Sequence, residues 1–399
     1  MRKCRIMRDG EKKVTRRNLI KQIIKLGLML VICFQVVFLT GCWDMVELEE
    51  RAFVLGIGLD KGEKEGEITL TYQFALPSAM FGEGGGKGEK KVWNLAASSS
   101  TVIGAHKELL TRLNKVINLE HTRVLLIGEE LAREGISKHM DFFFRDINMR
   151  RRTDVLIAQD KAQDFFNIMP PTANSTSDYL ADIISQNEKR TGHISPKVDM
   201  VEMTKNLRRG TDFILAKVAR GEKDIVMSGA GVFRKDKLIG VLGAEEVMAT
   251  RWLKSDISKG TITLKSIDGA KDENVFEISE GRTKVKPYIQ GEDVNFDVSI
   301  RVEGDIAEMK VLNFKRTVTG DFINMFEKAI EEEIGKRCNE IMDKAQREFE
   351  TDFLDFGHLV KDYNFRWMKQ HEDQWRDIFK KSRMNIKVDV NIRRVGLVK

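Results

Sequence analysis

An uncharged segment near the N-terminus divides this chain into an export signal and the part that must fold. Residues 1–25 hold ten Lys or Arg against two acidic residues, and residues 26–39 then hold no charge and one polar side chain, Gln35. A basic region followed by an apolar region and small residues is typical of a secretory signal, whose start is Met1 or Met7. The apolar region has 14 residues, whereas a membrane-spanning helix needs about 20. The pattern therefore favours a signal over its alternative, a retained transmembrane anchor.

The apolar region ends in a stretch that has the form of a lipobox. This stretch consists of Leu39, Thr40, Gly41 and Cys42. Its small side chains let the backbone enter a peptidase. The Cys42 thiol accepts a diacylglycerol, and cleavage between Gly41 and Cys42 leaves a lipid-modified N-terminus. Two acyl chains such as palmitate anchor a protein stably, whereas one chain is marginal. We therefore predict a lipoprotein signal peptide at 1–41 and lipid attachment at Cys42. The alternative is a chance Gly-Cys pair after a signal that is cleaved elsewhere.

The charge of the mature chain gives no support for a nucleic-acid partner. The whole chain carries +6, but the part after the signal holds 57 basic and 59 acidic residues, which makes its net charge −2. It shows neither interleaved aromatic and basic residues nor zinc-finger spacing. Its densest basic cluster is Arg150, Arg151 and Arg152. We interpret this cluster as the solvated end of a helix, with contact to anionic lipid as the alternative.

The four cysteines predict a protein without an internal disulfide. Cys4 and Cys33 leave with the signal, and Cys42 carries lipid, so Cys338 has no partner. Cys338 lies on the apolar stripe of a helix predicted over 321–350. We expect a buried, inert thiol there, with a reactive thiol as the alternative.

The first half of the mature chain mixes strand and helix patterns. Two β-rich runs, 51–60 and 67–76, are joined by a short charged connector and predict a hairpin. Strand and helix patterns alternate after it, and one of the predicted helices extends over 129–147. This alternation predicts a mixed α/β N-terminal domain, or domains, at 42–220.

The second half predicts a separate α+β domain at 221–399. A helix over 244–254 is followed by strand-like runs at near-regular spacing, which indicates an antiparallel sheet. These runs are 261–265, 273–279, 282–290 and 293–304. The long helix over 321–350 and an alternating strand over 384–396 complete the domain. The expected fold class is therefore α+β or mixed α/β and multidomain.

The sequence patterns of common catalytic and metal sites are absent. The glycine-rich stretch 82–88 lacks the Lys followed by Ser or Thr that a phosphate-binding loop requires, and we interpret it as a flexible loop. Gly56 and Gly58 lie inside a strand, where we expect a bulge or close packing rather than a dinucleotide site. The histidines show no metal-ligand spacing, and no G-x-S-x-G occurs. We therefore predict no metal and no cofactor except the diacylglycerol on Cys42, and nothing in these patterns calls for an enzyme.

Several stretches of the mature chain match the sequence pattern of one protein family. The family pattern at the mature N-terminus is a lipobox Cys followed by Trp-Asp, an acidic segment, and a strand that ends in two spaced glycines and Asp-Lys. The matching residues are Gly41, Cys42, Trp43, Asp44, Glu47, Leu48, Gly56, Gly58, Asp60 and Lys61. Residues 229–253 resemble the opening of the family's second domain, and residues 352–379 and 391–399 resemble its close. By these matches the chain resembles the Ger(x)C spore-germination lipoproteins, the C subunits of germinant receptors.

The likeness covers essentially the whole mature chain, with two local departures. The matching residues near the C-terminus are Asp352, Phe356, Gly357, Trp367, Trp375 and Phe379. Asn364 stands where the family has Pro, and Gly243 stands where an acid is common. Both departures affect local turns more than family membership.

The resemblance implies a non-catalytic protein tethered to the outer face of the spore inner membrane. Its implied partners are the lipid bilayer and two integral-membrane receptor subunits, one of them transporter-like and thought to bind the nutrient. The leading hypothesis is therefore a lipid-anchored subunit required for nutrient-triggered germination. The alternatives are a lipoprotein that binds a solute directly and an exported hydrolase of the envelope or cortex.

Overall fold

The computed structural model describes residues 21, 24–29, 47–76, 91–187, 190–222, 224–256, 259–264, 274–309 and 320–395. The chain divides into two compact units, Met1–Arg51 and Ala52–Lys399. In the first unit, residues 24–29 are helical with exposed side chains, and Leu48–Glu50 form a 3₁₀ turn. None of the described helices is both long and apolar enough to cross a membrane.

The first sheet contains nine strands in the part of the chain that the structure describes. They are β1 (Arg51–Lys61), β2 (Ile68–Ala75), β3 (Val92–Ser99), β4 (Val116–Asn118), β5 (Val124–Gly128), β6 (Asp154–Ala158), β7 (Phe213–Arg220), β8 (Ile225–Arg234) and β9 (Lys237–Leu242). Their order is β3-β2-β1-β5-β6-β7-β8-β9, and β4 pairs with β1 outside this order. The hairpin predicted from residues 51–60 and 67–76 is confirmed as β1 and β2.

The middle of this sheet is parallel and its sides are antiparallel. β5 pairs parallel with β1 and with β6, and β6 pairs parallel with β7. The pairs β1–β2, β2–β3, β7–β8 and β8–β9 are antiparallel. Every residue of β5 and β6 is buried, as expected for parallel strands that helices cover on both faces.

Helices cover both faces of the first sheet and form one core on each. The helices are α1 (Val102–Leu110), α2 (Glu129–Glu134), α3 (Ser137–Arg145), α4 (Ala162–Phe165), α5 (Thr176–Asn187) and α6 (Met200–Arg209). Buried residues of α1, α2, α3 and α6 share one core with β1 and β2. Buried residues of α4 and α5 form the other core with β5 and β6. The mixed α/β class predicted for this region is confirmed.

The single helix predicted over 129–147 is wrong, because a glycine divides it. Gly135 has φ of 117°, in the left-handed half of backbone space that glycine enters at little cost. It ends α2, and α3 starts two residues later. The second helix stops at Arg145, so Ile147 lies outside it with 90% of its surface exposed.

The second sheet has the order β10-β11-β12-β13. Its strands are β10 (Gly260–Leu264), β11 (Asn274–Gln290), β12 (Asp293–Met309) and β13 (Arg383–Val395). The two runs predicted at 273–279 and 282–290 form one strand, β11, which pairs with β12 in a long hairpin. β13 pairs parallel with β12, so the prediction of a purely antiparallel sheet is wrong. Parallel neighbours need a crossover connection, and here helices supply it.

The second sheet packs with one helix that precedes it in the sequence and with four helices that lie between β12 and β13. These are α7 (Ala244–Leu253), α8 (Gly320–Asp343), α9 (Phe356–Tyr363), α10 (Phe365–His371) and α11 (Trp375–Lys381), with a π-helical turn at Lys344–Glu348 after α8. Apolar residues of α7 and α8 fill one core with β11 and β12. The long helix and the closing strand predicted from sequence are both confirmed.

The β8–β9 hairpin joins the first sheet to the second core. The Arg234 guanidinium donates to the Thr351 hydroxyl at 3.0 Å and also to the Phe349 carbonyl. A Cβ atom added to Gly240 would lie 2.1 Å from the Phe349 ring. The first sheet thus continues past residue 220, where the sequence predicts a domain boundary, and that boundary stays a prediction.

Candidate functional site

The residues that carry the predicted lipid anchor lie outside the part of the chain that the structure describes. This holds for the lipobox, Leu39, Thr40, Gly41 and Cys42, and for Trp43 and Asp44. Cleavage after Gly41 and acylation of Cys42 therefore stay predictions from the sequence.

Gly56 and Gly58 allow β1 to pack closely against the helical layer above it. A Cβ atom at Gly56 would lie 2.1 Å from Ser177 Oγ, and one at Gly58 would lie 3.0 Å from the Phe166 ring. The pairing register of β1 and β2 also shifts between Val54 and Gly56. The prediction of a bulge or close packing at these glycines is confirmed.

A buried amide network lies beside Gly56, and nothing in the local sequence indicates it. The Gln73 side chain is fully buried. Its Oε1 accepts hydrogen bonds from the Ser177 amide at 3.1 Å and the Ser177 hydroxyl at 2.7 Å. Its Nε2 donates to the Phe166 carbonyl at 3.4 Å, which Asn94 also contacts at 2.8 Å. These bonds fix α5 and the end of α4 to the sheet, and those of Gln73 span 93 and 104 residues of sequence.

Asp60, the acid of the opening motif, caps a helix. Its carboxylate accepts from the amides of Ala162 at 2.6 Å and Gln163 at 2.9 Å, which are unpaired donors at the start of α4. Burial raises the pKa of Asp60 even though these two donors lower it. A Cβ atom at Gly128 would lie 2.2 Å from the same carboxylate. Asp60 therefore holds the ends of β1 and β5 to the start of α4.

Lys61, the next motif residue, contacts α2 through two ion pairs. Its ammonium lies 2.8 Å from Glu130 and 2.6 Å from Glu134. Glu129, at the start of the same helix, pairs with Lys217 of β7 at 2.7 Å. At the carboxyl ends of the parallel strands, Lys61 and Lys217 thus pair with acidic residues of α2.

A charged surface depression of about 460 Å³ lies at the same end of the sheet. Its lining includes Asp60, Lys61, Lys64, Arg112 and Lys161. Open α/β sheets bind ligands outside the carboxyl ends of their strands, so this is the place where a polar solute would bind. Its two motif residues, however, are already engaged inside the protein.

Asp352 is the centre of the motif that closes the second domain. Its carboxylate accepts from the amides of Phe356 at 3.0 Å and Gly357 at 2.6 Å, and from the Trp375 indole at 2.9 Å. Burial raises the pKa of Asp352 to about 7 against the opposing effect of these donors. A Cβ atom at Gly357 would lie 2.7 Å from the Trp375 nitrogen. The motif residues therefore connect α9, α11 and the turn before α9.

The two departures from the family pattern fall at helix starts. Asn364 caps α10, because its side chain accepts from the Trp367 amide at 3.1 Å. Gly243 precedes α7, and its amide donates to the Glu246 carboxylate at 2.7 Å. Each residue thus supports a local turn, as the sequence comparison leads us to expect.

The described residues contain no group of three or more His, Cys, Asp or Glu side chains placed to hold a metal ion. His106 bonds to the Tyr72 hydroxyl at 2.9 Å, and His193 lies 3.2 Å from Glu245. His139 is buried, and its Nε2 has no hydrogen-bond partner among the described atoms. These contacts are those of packed side chains and not of a shared site.

Cys338 has the environment that its sequence pattern predicts. It is fully buried on α8, inside the core of the second sheet. Burial raises the pKa of its thiol to about 12. A thiol is reactive as its thiolate, so the prediction of an inert cysteine is supported.

Two family matches lie next to each other along the chain. Residues 44–220 match the family described as "Spore germination protein N-terminal domain". Residues 228–396 match the family described as "Spore germination B3/GerAC like, C-terminal". Together they leave little of the mature chain unmatched.

Similar proteins of Bacillus subtilis (strain 168) have the same extent as this chain. "Spore germination protein YndF" is 26% identical over 94% of this chain and 98% of its own length. "Spore germination protein B3" is 25% identical over 91% and 96%. "Spore germination protein KC" is 23% identical over 93% and 96%.

A solved structure has a similar fold. The "Crystal Structure of the GerBC protein" aligns with a TM-score of 0.59 at 20% identity and covers 88% of this chain and all of the solved chain. The opening and closing motifs, the two family matches and the shared fold lead to one conclusion. This chain belongs to the Ger(x)C family of spore germination proteins.

Proposed function

We propose that this protein is a lipid-anchored, non-catalytic subunit of a nutrient germinant receptor. It is held by diacylglycerol on Cys42 at the outer face of the spore inner membrane. Two integral-membrane subunits are its partners, and the complex is required for germination triggered by nutrients. The observation that carries the proposal is the position of the first family match, which starts at residue 44, two residues after the lipobox cysteine.

The roles of the motif residues support a binding subunit over an enzyme. Asp60 and Asp352 are the two acids of the motifs that most resemble catalytic groups, and both accept hydrogen bonds from backbone amides that need partners. Lys61 is engaged with Glu130 and Glu134. These contacts give Asp60, Lys61 and Asp352 structural roles.

Gene deletion with complementation in the spore-forming host tests the proposal. Spores that lack the gene are complemented with the natural chain, Cys42→Ala, or Cys33→Ala as a matched cysteine control within the signal. We expect deletion and Cys42→Ala to weaken germination with one class of nutrient, while non-nutrient triggers stay effective. Cys33→Ala should germinate normally. A Cys42→Ala protein that stays on the membrane and supports normal germination contradicts the proposal.

The second candidate is a lipoprotein that binds a solute directly, and the charged depression near Asp60 and Lys61 is the observation in its favour. Titration calorimetry of the purified protein with single germinants tests it. Saturable heat that disappears in Arg112→Ala would support solute binding. No heat with nutrients to which the spores respond would leave the receptor-subunit proposal as the better account.

A further inference from the structure

The turn between α3 and β6, residues 146–153, presents an apolar tip beside three arginines. Ile147 is 90% exposed, the largest exposed fraction among the described large apolar side chains. Arg150, Arg151 and Arg152 follow it and are all exposed. The arginines lie five or more residues beyond the end of α3 at Arg145, so the prediction that they form a helix end is wrong.

Buried residues hold this turn in place. Met149 is 2% exposed and packs in the core between the sheet and α3. Thr153 is fully buried, and its hydroxyl oxygen lies 2.9 Å from the Thr122 carbonyl and 2.8 Å from the Arg150 carbonyl, which share its one proton. The Asn148 amide donates to the Asp146 carboxylate at 2.8 Å. The outward position of Ile147 and the arginines is therefore fixed by the fold.

The positive charges of the turn are not matched by ion pairs among the residues that the structure describes. Arg151 donates to the Phe144 carbonyl at 3.3 Å, and none of the three arginines forms an ion pair with a residue that the structure describes. The buried Asp154 that follows pairs with Lys197 at 2.7 Å. Asp146 accepts a hydrogen bond inside the turn, and the exposed acid Glu120 lies just before β5. The turn thus keeps a local excess of positive charge.

Strand register places this turn at the end of the sheet where the chain enters β1. In the parallel strands β1, β5 and β6, Gly56 is in register with Val124, and Val124 is in register with Asp154. The turn precedes Asp154, so it lies beyond the N-terminal end of β6. The chain enters β1 at the same end, nine residues after Cys42. Since a residue spans at most about 3.6 Å, the anchor lies within roughly 30 Å of the start of β1.

Trp93 adds an aromatic side chain at the same end. It pairs with Phe74, which pairs with Val54 near the start of β1. Its side chain is 42% exposed. Indole rings favour the headgroup region of a bilayer, and arginines near an anionic leaflet are attracted to it.

We propose that the turn 146–153, together with Trp93, is a membrane-contact surface that docks on anionic lipid headgroups beside the lipid anchor. Ile147 enters the interface and the three arginines bind lipid phosphates. The contact fixes the orientation of the first sheet on the bilayer, which a flexible tether alone does not do. The inference rests on the proposed anchor at Cys42.

Depth-dependent quenching in vesicles tests this surface. The complete lipoprotein carrying Ile147→Cys is labelled with an environment-sensitive fluorophore and reconstituted into phosphatidylcholine vesicles with or without phosphatidylglycerol. The control is Glu65→Cys, on the exposed turn after β1 at the opposite end of the sheet. Cys338 is buried and Cys42 is acylated in this protein, so the label reacts with the introduced thiol.

We expect lipid-attached quenchers to quench the probe at 147 in anionic vesicles and to leave the probe at 65 unquenched. The double variant Arg150→Gln with Arg152→Gln should reduce the ratio of docked to undocked protein, measured from the quenched fraction of the probe at 147, roughly fivefold for each arginine. Lys284→Gln with Lys286→Gln, which removes the same charge from the second sheet, should leave the ratio unchanged.

Equal quenching at 147 and 65, or equal docking on neutral and anionic vesicles, overturns the inference. Vesicle flotation separates this result from failure of the anchor. Protein that floats while its probe at 147 stays in water refutes the contact surface alone. Protein that does not float refutes the proposed anchor as well.

Discussion

Two glycines in helices of the second domain offer a matched test of how the closing motif is packed. Gly357 is the second residue of α9, and Gly335 lies inside α8. A Cβ atom built at Gly357 meets the Trp375 nitrogen at 2.7 Å and Asp352 Oδ2 at 3.2 Å. A Cβ atom at Gly335 meets no described atom within 4 Å. The same change to alanine should therefore have opposite effects at the two sites.

The expected magnitudes follow from competing contributions to the free energy of unfolding. Alanine stabilises a helix interior by up to about 1 kcal/mol relative to glycine, and at Gly335 nothing opposes this gain. At Gly357, overpacking against a ring costs about 1–3 kcal/mol. Displacing Trp375 from the Asp352 carboxylate adds a lost buried hydrogen bond of about 1–3 kcal/mol. The two costs together are about 2–6 kcal/mol, and the helix gain of up to about 1 kcal/mol opposes them, so we expect Gly357→Ala to destabilise the second domain by about 1–5 kcal/mol.

Urea unfolding followed by tryptophan fluorescence measures both variants, because Trp367 and Trp375 lie in this domain. The midpoint for Gly357→Ala should fall and the midpoint for Gly335→Ala should rise. If Gly357→Ala is as stable as Gly335→Ala, the close contact of Gly357, Trp375 and Asp352 does not determine the packing of this region.

Two further predictions concern the buried acids. Burial raises the pKa of Asp352 from 3.8 to about 7, so the folded state holds a proton that the unfolded state loses. The stability that Asp352 contributes relative to Asp352→Asn should be fully present below about pH 4 and be lost as the pH rises to 7. Denaturant titrations of both proteins at several pH values measure this difference. If the stability contributed by Asp352 instead rises with pH, the three hydrogen-bond donors outweigh the effect of burial. Asp60→Ala leaves two buried amides unpaired, at a cost of about 1–3 kcal/mol of unfolding free energy each. It should therefore cost more than Asp199→Ala, which removes a half-buried cap of α6 worth about 1 kcal/mol. Equal losses of stability in thermal unfolding would contradict the role given to Asp60.

Elements with strong local signals were predictable from sequence. The β1–β2 hairpin is marked by a charged connector between two β-rich runs, and α8 is marked by apolar residues at helical spacing. Cys338 lies on that apolar stripe and is buried as predicted. In each case the signal lies within a few residues of the element that it defines.

Contacts between distant segments were not predictable in the same way. The carboxylate of Asp60 meets amides 102 and 103 residues away, and Gln73 meets Ser177 across 104 residues. A single sequence shows that these residues are polar but not what they bond to. The parallel pairing of β13 with β12 also depends on the path of the helices between these strands, and alternation alone does not distinguish it from antiparallel pairing.

The sequence contains a residue that indicates the break in the helix predicted over 129–147, but the helical spacing of apolar residues favours a continuous helix. Gly135 lies in the sequence where α2 ends, and glycine is a common helix terminator. Apolar residues on both sides kept helical spacing, which favoured one long helix. A break at Gly135 separates α2 from α3, but it does not indicate that α3 ends at Arg145.

The mass of the N-terminal peptide from spore membranes tests the central claim most directly. The account predicts a peptide that starts at Cys42 and carries a diacylglycerol on its sulfur. A peptide that continues through Gly41 and Cys42, or a mature chain whose Cys42 thiol is free, would contradict it.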